Sequence, residues 1–257
     1  MSLLSINSFQ KTNISVFIPL LITIIDGSCT YIENYENPFF VYKFSSSTPI
    51  NINFNVDGVI HYIVVGAGGG GSGGYNQGFG GGGGGGEILQ GTFSVVKNQS
   101  MNIIIGTGGA KKPKSDSNNV VQNLASDGGN TTFHTIIAKG GKGGESLKGG
   151  ESGKGGESGH GKLGGVSYET NTNHVGPGGA SSQFDGSNGS EGGLGGNGLS
   201  INIHSSFSTP FLGGGGNGGN ATPTTILENL ENTGWGGAGG IYSENGTSGV
   251  VYLFWSK

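Results

Sequence analysis

The sequence predicts an all-β chain with almost no α-helix, extended by a bundle of packed polyproline II rods. Three observations predict it. Glycine fills 59 of 257 positions, roughly three times ordinary usage. The segments between are rich in Val, Ile, Thr, Phe and Tyr, in places with a clean period of two. A Lys-Gly-Gly-Glu-Ser unit also recurs at 142–146, 148–152 and 154–158, and its six-residue step is two turns of a three-residue helix. So much glycine is either disordered or brings backbones together. A formal net charge of −4 gives no repulsion to hold the chain open, so the ordered reading follows.

In chain order, the apolar run 14–25 is too short for a helical membrane span. It fits either the apolar core of a secretory leader or an N-terminal strand. From 39 the pattern is β. Residues 50–56 alternate apolar and polar, Asp57-Gly58 signals a hairpin turn, and 59–65 resumes the strand. These elements predict a meander. Further strands are expected at 87–89, 92–96 and 101–105, with a turn at 97–100, and at 131–138. The apolar run 250–255 suits a central strand buried on both faces. The nearest thing to a helix is one turn at 226–230. The expected organisation is a leader or docking segment at 1–27 and one domain at 28–257, mainly strands over 28–138 and mainly rods over 139–248, with a closing strand over 249–257.

Written in threes, the repeat puts Gly144, Gly150, Gly153, Gly156 and Gly159 on one face. Gly and Ser alternate on the second, and Lys142, Glu145, Lys148, Glu151, Lys154 and Glu157 form the third. A polyproline II rod has no internal hydrogen bonds. It must pack against its own kind, and side-chain-free faces permit the close approach. Two small faces and one charged face describe a rod in an outer layer. The register recurs at Gly186, Gly189, Gly192, Gly195 and Gly198, at Gly213, Gly216 and Gly219, and at Gly234, Gly237 and Gly240. Collagen would need an unbroken period and far more than seven prolines.

Several function classes are excluded by what the chain lacks. Arg is absent and the pI is about 5.7, which argues against specific nucleic-acid binding. The run Gly66-Ala67-Gly68-Gly69-Gly70-Gly71 imitates a dinucleotide-binding turn, but seven further glycines at 80–86 leave no helix to hold a pyrophosphate. His61, His134, His160, His174 and His204 show no metal-ligand spacing with one another or with Cys29, and Cys29 reads as a small buried side chain. No catalytic residue, cofactor or metal site is expected. The candidate surface-binding residues are aromatics in the links between glycine runs: Tyr168, Phe184, Phe207, Phe211, Trp235 and Tyr242. They either plug the ends of the bundle or anchor a partner.

The order of blocks carries a family resemblance. Tyr42-Lys43-Phe44-Ser45, Ile63-Val64-Val65-Gly66-Ala67-Gly68, Gly91-Thr92-Phe93-Ser94-Val95, Ile104-Ile105-Gly106-Thr107-Gly108-Gly109 and Gly246-Thr247-Ser248-Gly249-Val250-Val251-Tyr252 resemble the glycine-rich domain of phage and giant-virus fibre and adhesin proteins. That resemblance implies a β-sandwich-like base with an inserted polyglycine II bundle. It also implies display on a virion or fibre tip, with host contacts made by loops between the rods. Partners would be a host surface protein or glycan, or a neighbouring virion or fibre protein, with homo-oligomers compatible. A weaker resemblance is to the glycine-rich extracellular region of the leukocyte and anaplastic-lymphoma receptor kinases. The expected function is a non-enzymatic structural or attachment protein. The alternatives are a secreted extracellular module, which six Asn-x-Ser/Thr sites would suit, and an ice-binding protein.

Overall fold

A computed structural model describes residues 4–5, 22–34, 39–46, 48–74, 80–113, 122–147, 153–167, 177–188, 193–204, 207–218, 232–240 and 243–256. Among them the chain is all-β, with no helix. Two antiparallel sheets form the base. The larger runs in the order Leu4–Ser5, Thr30–Asn34, Phe39–Phe44, Val250–Ser256, Gly58–Val65, Ile88–Val95. The second runs Ile136–Ala138, Thr131–Phe133, Ser100–Ile104, Ile50–Phe54, Ile22–Asp26.

The closing strand is central, as its continuous apolar run predicts. It pairs with Phe39–Phe44 on one side and Gly58–Val65 on the other. Alternate residues then enter different cores, because successive side chains of a strand point to opposite faces. Val251, Leu253 and Trp255 join Phe44, Ile50, Ile52, Phe54, Ile103 and Phe133, so both sheets share one cluster. Val250 and Tyr252 join Val41, Ile63, Val65 and Leu212, with Leu199, Ile201 and Ile203 packed against them. Each fully buried Ile or Phe contributes about 2–3 kcal/mol, which makes this base the apolar anchor of the fold.

Four sequence expectations fail here. The strands 50–54 and 58–65 lie in different sheets, so Asp57-Gly58 is a crossing between sheets and not a hairpin, and no meander forms. Asp57 Oδ1 instead accepts the Lys97 N–H at 2.7 Å, tying this crossing to the one at 97–99. The expected strand at 131–138 is a hairpin, Thr131–Phe133 with Ile136–Ala138, turned at His134 with φ 53°. The Lys-Gly-Gly-Glu-Ser repeat does not form one rod. Its first and third copies lie side by side, with Glu145 paired antiparallel to Lys154, and the middle copy falls outside the described residues. The run Gly186 to Gly198 likewise folds back, since Ser187 N–H donates to Leu194 O and Gly193 N–H to Asn188 O, both at 3.0 Å. Of the apolar run 14–25, Ile22–Asp26 is a strand and 14–21 lies outside the described residues, as does the expected turn at 226–230.

The strands run without a break into the glycine segments, as Val65 into Gly66 and Glu87 into Ile88 show. There the hydrogen bonds change character. The amides of Gly81, Gly84 and Glu87 donate to Glu145, Lys142 and Lys139; those of Gly82 and Gly85 to Pro177 and Ala180; those of Gly83 and Gly86 to Gly237 and Gly234. Every third donor thus goes to the same neighbour. The acceptors follow the same rule: Gly81 and Gly84 accept from Ser72 and Gly69, Gly82 and Gly85 from Gly156 and Gly159, and Gly83 from Gly216. Segment 81–87 therefore sits inside a ring formed by 66–72, 139–145, 154–159, 177–180, 213–216 and 234–237, itself closed by hydrogen bonds such as Lys142 N–H to Glu157 O and Gly179 N–H to Gly216 O.

The same bonding surrounds 66–72 and 177–180, and the segments fall into three rows. The middle row is 106–112, 66–72, 81–87, 177–180 and 185–188. One outer row is 126–129, 139–145, 154–159 and 163–165; the other is 244–247, 234–240, 213–216 and 193–196.

Packing this close leaves no room for a Cβ on any glycine of 81–86. One built on Gly83 would lie 2.1 Å from Gly69 O, whereas one on Gly58 would meet nothing within 4 Å. Gly83→Ala is therefore expected to destabilise by about 3 kcal/mol or more. Gly58→Ala should stay within about 0.5 kcal/mol, as read from chemical-denaturant midpoints.

Candidate surface-binding site

In each outer segment two of every three positions face neighbouring backbone, so side chains occupy the third. On 139–145 the would-be Cβ atoms of Gly140, Gly141, Gly143 and Gly144 all abut carbonyls, leaving Lys139, Lys142 and Glu145 outward. Lys154 and Glu157 occupy the same position on the next segment and are exposed. The repeat's charged row is thus real, although the repeat folds back on itself. Lys142 Nζ donates to Asp127 Oδ2 at 2.7 Å. That hydrogen bond, with the carboxylate's charge, holds the ammonium above its ordinary pKa. Both side chains are more than half exposed, so the pair adds little stability.

The opposite row is different. On 193–196, 213–216 and 234–240 the glycines 195, 196, 215, 216, 236, 237 and 239 are the closely packed ones. The outward positions are Leu194 and Asn197, Gly214 and Asn217, Trp235 and Ala238. No Asp, Glu, Lys or Arg occurs in 193–204, 207–218 or 232–240. Trp235 lies over Gly214 and Gly198, with ring atoms 2.5 and 3.0 Å from the Cβ positions those glycines lack. Its Nε1–H donates to Phe211 O at 2.8 Å and its backbone N–H to Thr247 Oγ1 at 2.7 Å, so the indole is fixed from two sides. Leu194 and Phe211 stand 39% and 51% exposed.

Of the predicted aromatics, the structure brings Trp235 and Phe211 together. Phe184 is exposed on the turn 181–184, whose backbone packs against Gly196, with its amide held by Ser181 Oγ at 2.8 Å. Phe207 opens the short strand Phe207–Ser208. Tyr168 and Tyr242 lie outside the described residues. Sequence reasoning missed Leu194, Asn197, Asn217 and Ala238, whose signal was the same three-residue register with the glycine replaced.

It also missed how the outermost amides are satisfied. A packed array leaves donors at its rim, and Asx side chains from the adjacent segment accept them. Asp127 and Asn130, three apart, take Gly143 and Gly140; Asp185 and Asn188 take Leu163 and Val166; Asn217 takes Gly195; Asn245 takes Lys111, all at 2.8–3.1 Å. Three of the glycosylation-type sites, at Asn130, Asn188 and Asn245, are thereby explained as backbone caps.

Among the described residues no three His, Cys, Asp or Glu side chains group as a metal site, and no helix is long and apolar enough to cross a membrane. Cys29 is half-buried against the main core, and burial raises its thiol to about 11. The glycine-rich domain family matches residues 45–256, and the chain belongs to that family. No curated protein matches it.

Asp127→Ala removes the cap on Gly143 and should cost about 1 kcal/mol, while Asp127→Asn keeps an acceptor and should cost much less; paired thermal melts separate the two. The raised Cys29 thiol predicts stability that is intact below about pH 9 and declines as pH rises towards about 11, because only the unfolded chain ionises in that window. Burial of Tyr252 pushes its phenol in the same direction. Unfolding midpoints across pH 7–11, compared with Cys29→Ala, check it.

Proposed function

We propose that this protein is a non-enzymatic structural or attachment protein of a particle surface, a virion or fibre component that contacts a host surface. Its base is a β-sandwich, and the three-residue hydrogen-bond repeat is a polyglycine II bundle raised on it. The observation that carries the attachment reading is the neutral face, where Trp235 and Phe211 are held together by a 2.8 Å hydrogen bond on a backbone-bonded frame. Apolar side chains grouped on a face whose described segments carry no charge are what interaction surfaces offer. Aromatics positioned by rigid backbone can anchor a partner at little entropic cost. The secreted-module alternative loses part of its support, because Asn130, Asn188 and Asn245 have a structural role that needs no glycan.

Immunogold labelling with antibody against the folded protein tests the assignment. Label on the outer face of particles is the expected result. Label confined to the secretory pathway or matrix overturns it in favour of the secreted module.

A further inference from the structure

The geometry points to a neutral carbohydrate as the ligand of the face around Trp235, a reading that rests on the attachment function and names its chemistry. The pyranose ring has two needs: a flat π-surface for its C–H face, and uncharged donors and acceptors for the hydroxyls around its rim. Both stand here together. The indole lies over the backbone of Gly198 and Gly214 with its N–H already given to Phe211 O, so what this partly buried residue offers a ligand is ring surface.

The amides are placed by the same register. Asn217 Oδ1 accepts the Gly195 N–H at 2.8 Å, which fixes its amide plane with the NH2 group at the other end. Asn197, three residues after Leu194, is exposed beside it. Amide groups donate and accept at once, as hydroxyl recognition needs.

The charge distribution selects among sugars. The three segments 193–204, 207–218 and 232–240 contain no Asp, Glu, Lys or Arg, and Glu244 is an exposed carboxylate on the bordering segment. Among the described residues of this face a sialylated or sulfated chain would find no cation to pair with, and Glu244 would repel it. A protein partner would forgo the salt-bridged rim that steers protein association. Neither penalty applies to a neutral sugar.

The test uses the whole chain and the emission of its two tryptophans, Trp235 partly buried on this face and Trp255 in the core. Titration with cello-, malto-, manno- and chitohexaose is expected to shift the emission with at least one of them. The shift should persist in Trp255→Phe, vanish in Trp235→Phe, and be insensitive to salt. By calorimetry Trp235→Ala should weaken binding at least ten-fold and Trp235→Phe, which keeps a ring over Gly214, several-fold less, with both variants melting as cooperative folds. Lys142→Ala on the charged face should bind as the parent does. Failure of every neutral hexasaccharide to bind at millimolar concentration, or binding indifferent to Trp235→Ala in a folded variant, overturns the proposal. So does a preference for sialylated or sulfated chains that collapses with salt. If particles or cells still bind the protein in a Trp235-dependent way after periodate oxidation of their glycans, the ligand is protein: the carbohydrate proposal falls while the attachment function stands.

Discussion

Everything beyond the two sheets depends on backbone touching backbone. Segment 81–87 is bonded on all sides by other segments, and a Cβ on any glycine from 81 to 86 would sit about 2 Å from a carbonyl oxygen. That explains the seven-glycine run, which marks a segment where all three positions of the turn face a neighbour. The energetics are close to balanced. Ordering a backbone costs about 1–2 kcal/mol per residue. One hydrogen bond returns about 1 kcal/mol and Cα–H···O contacts about 0.5–1 kcal/mol each. Such an array gains little by itself, which is why it grows from strands whose large apolar side chains supply the surplus.

That balance also explains the rim. An inner amide finds a carbonyl in the next segment, but an outer one faces water or nothing. Asx residues at three-residue spacing, Asp127 with Asn130 and Asp185 with Asn188, supply the missing acceptors. Glu87 does so at the junction of sheet and array: its Oε2 accepts the Lys139 N–H at 2.9 Å, and His160 Nδ1 lies 3.6 Å from its Oε1. The polar side chains of the glycine-rich region are therefore not merely solvated surface. Many complete the backbone's hydrogen bonding, and the charged and neutral faces differ in what is left over.

Much of this was legible in the sequence. The alternation of Ile50–Phe54 and the unbroken apolar run 250–255 gave their strands and the two-sided burial of the latter. The glycine register gave side-chain-free faces. Partner and direction were not legible, for two physical reasons. Alternation tells which face of a strand is buried but not which strand lies beside it, so Asp57-Gly58 reads alike as a hairpin or as a crossing between sheets. A period of three is likewise the same for parallel and antiparallel neighbours, so Gly186 to Gly198 looked like one rod when it doubles back. The site was half legible. Trp235 and Phe211 stood out as aromatics, whereas Asn197, Asn217 and Ala238 gain meaning only once rows are known.

A frame of this kind restricts where chemistry can reside. The segment 81–86 admits no side chain, and its middle-row neighbours 66–72 and 177–180 hold only small or compact ones such as Ala67, Ser72, Pro177 and Ala180. Long side chains therefore sit on the outward third of the outer segments. Such a surface is periodic, because the three-residue register that packs the backbones also spaces the outward side chains. The two faces then divide the work. Lys139, Lys142, Glu145, Lys154 and Glu157 keep one side hydrated, whereas the described segments of the other side carry no charged side chain and let Trp235 lie against Gly214 and Gly198. The orientation of the Trp235 ring is thereby set by backbone, through the carbonyl of Phe211 and the bare Gly214 beneath it.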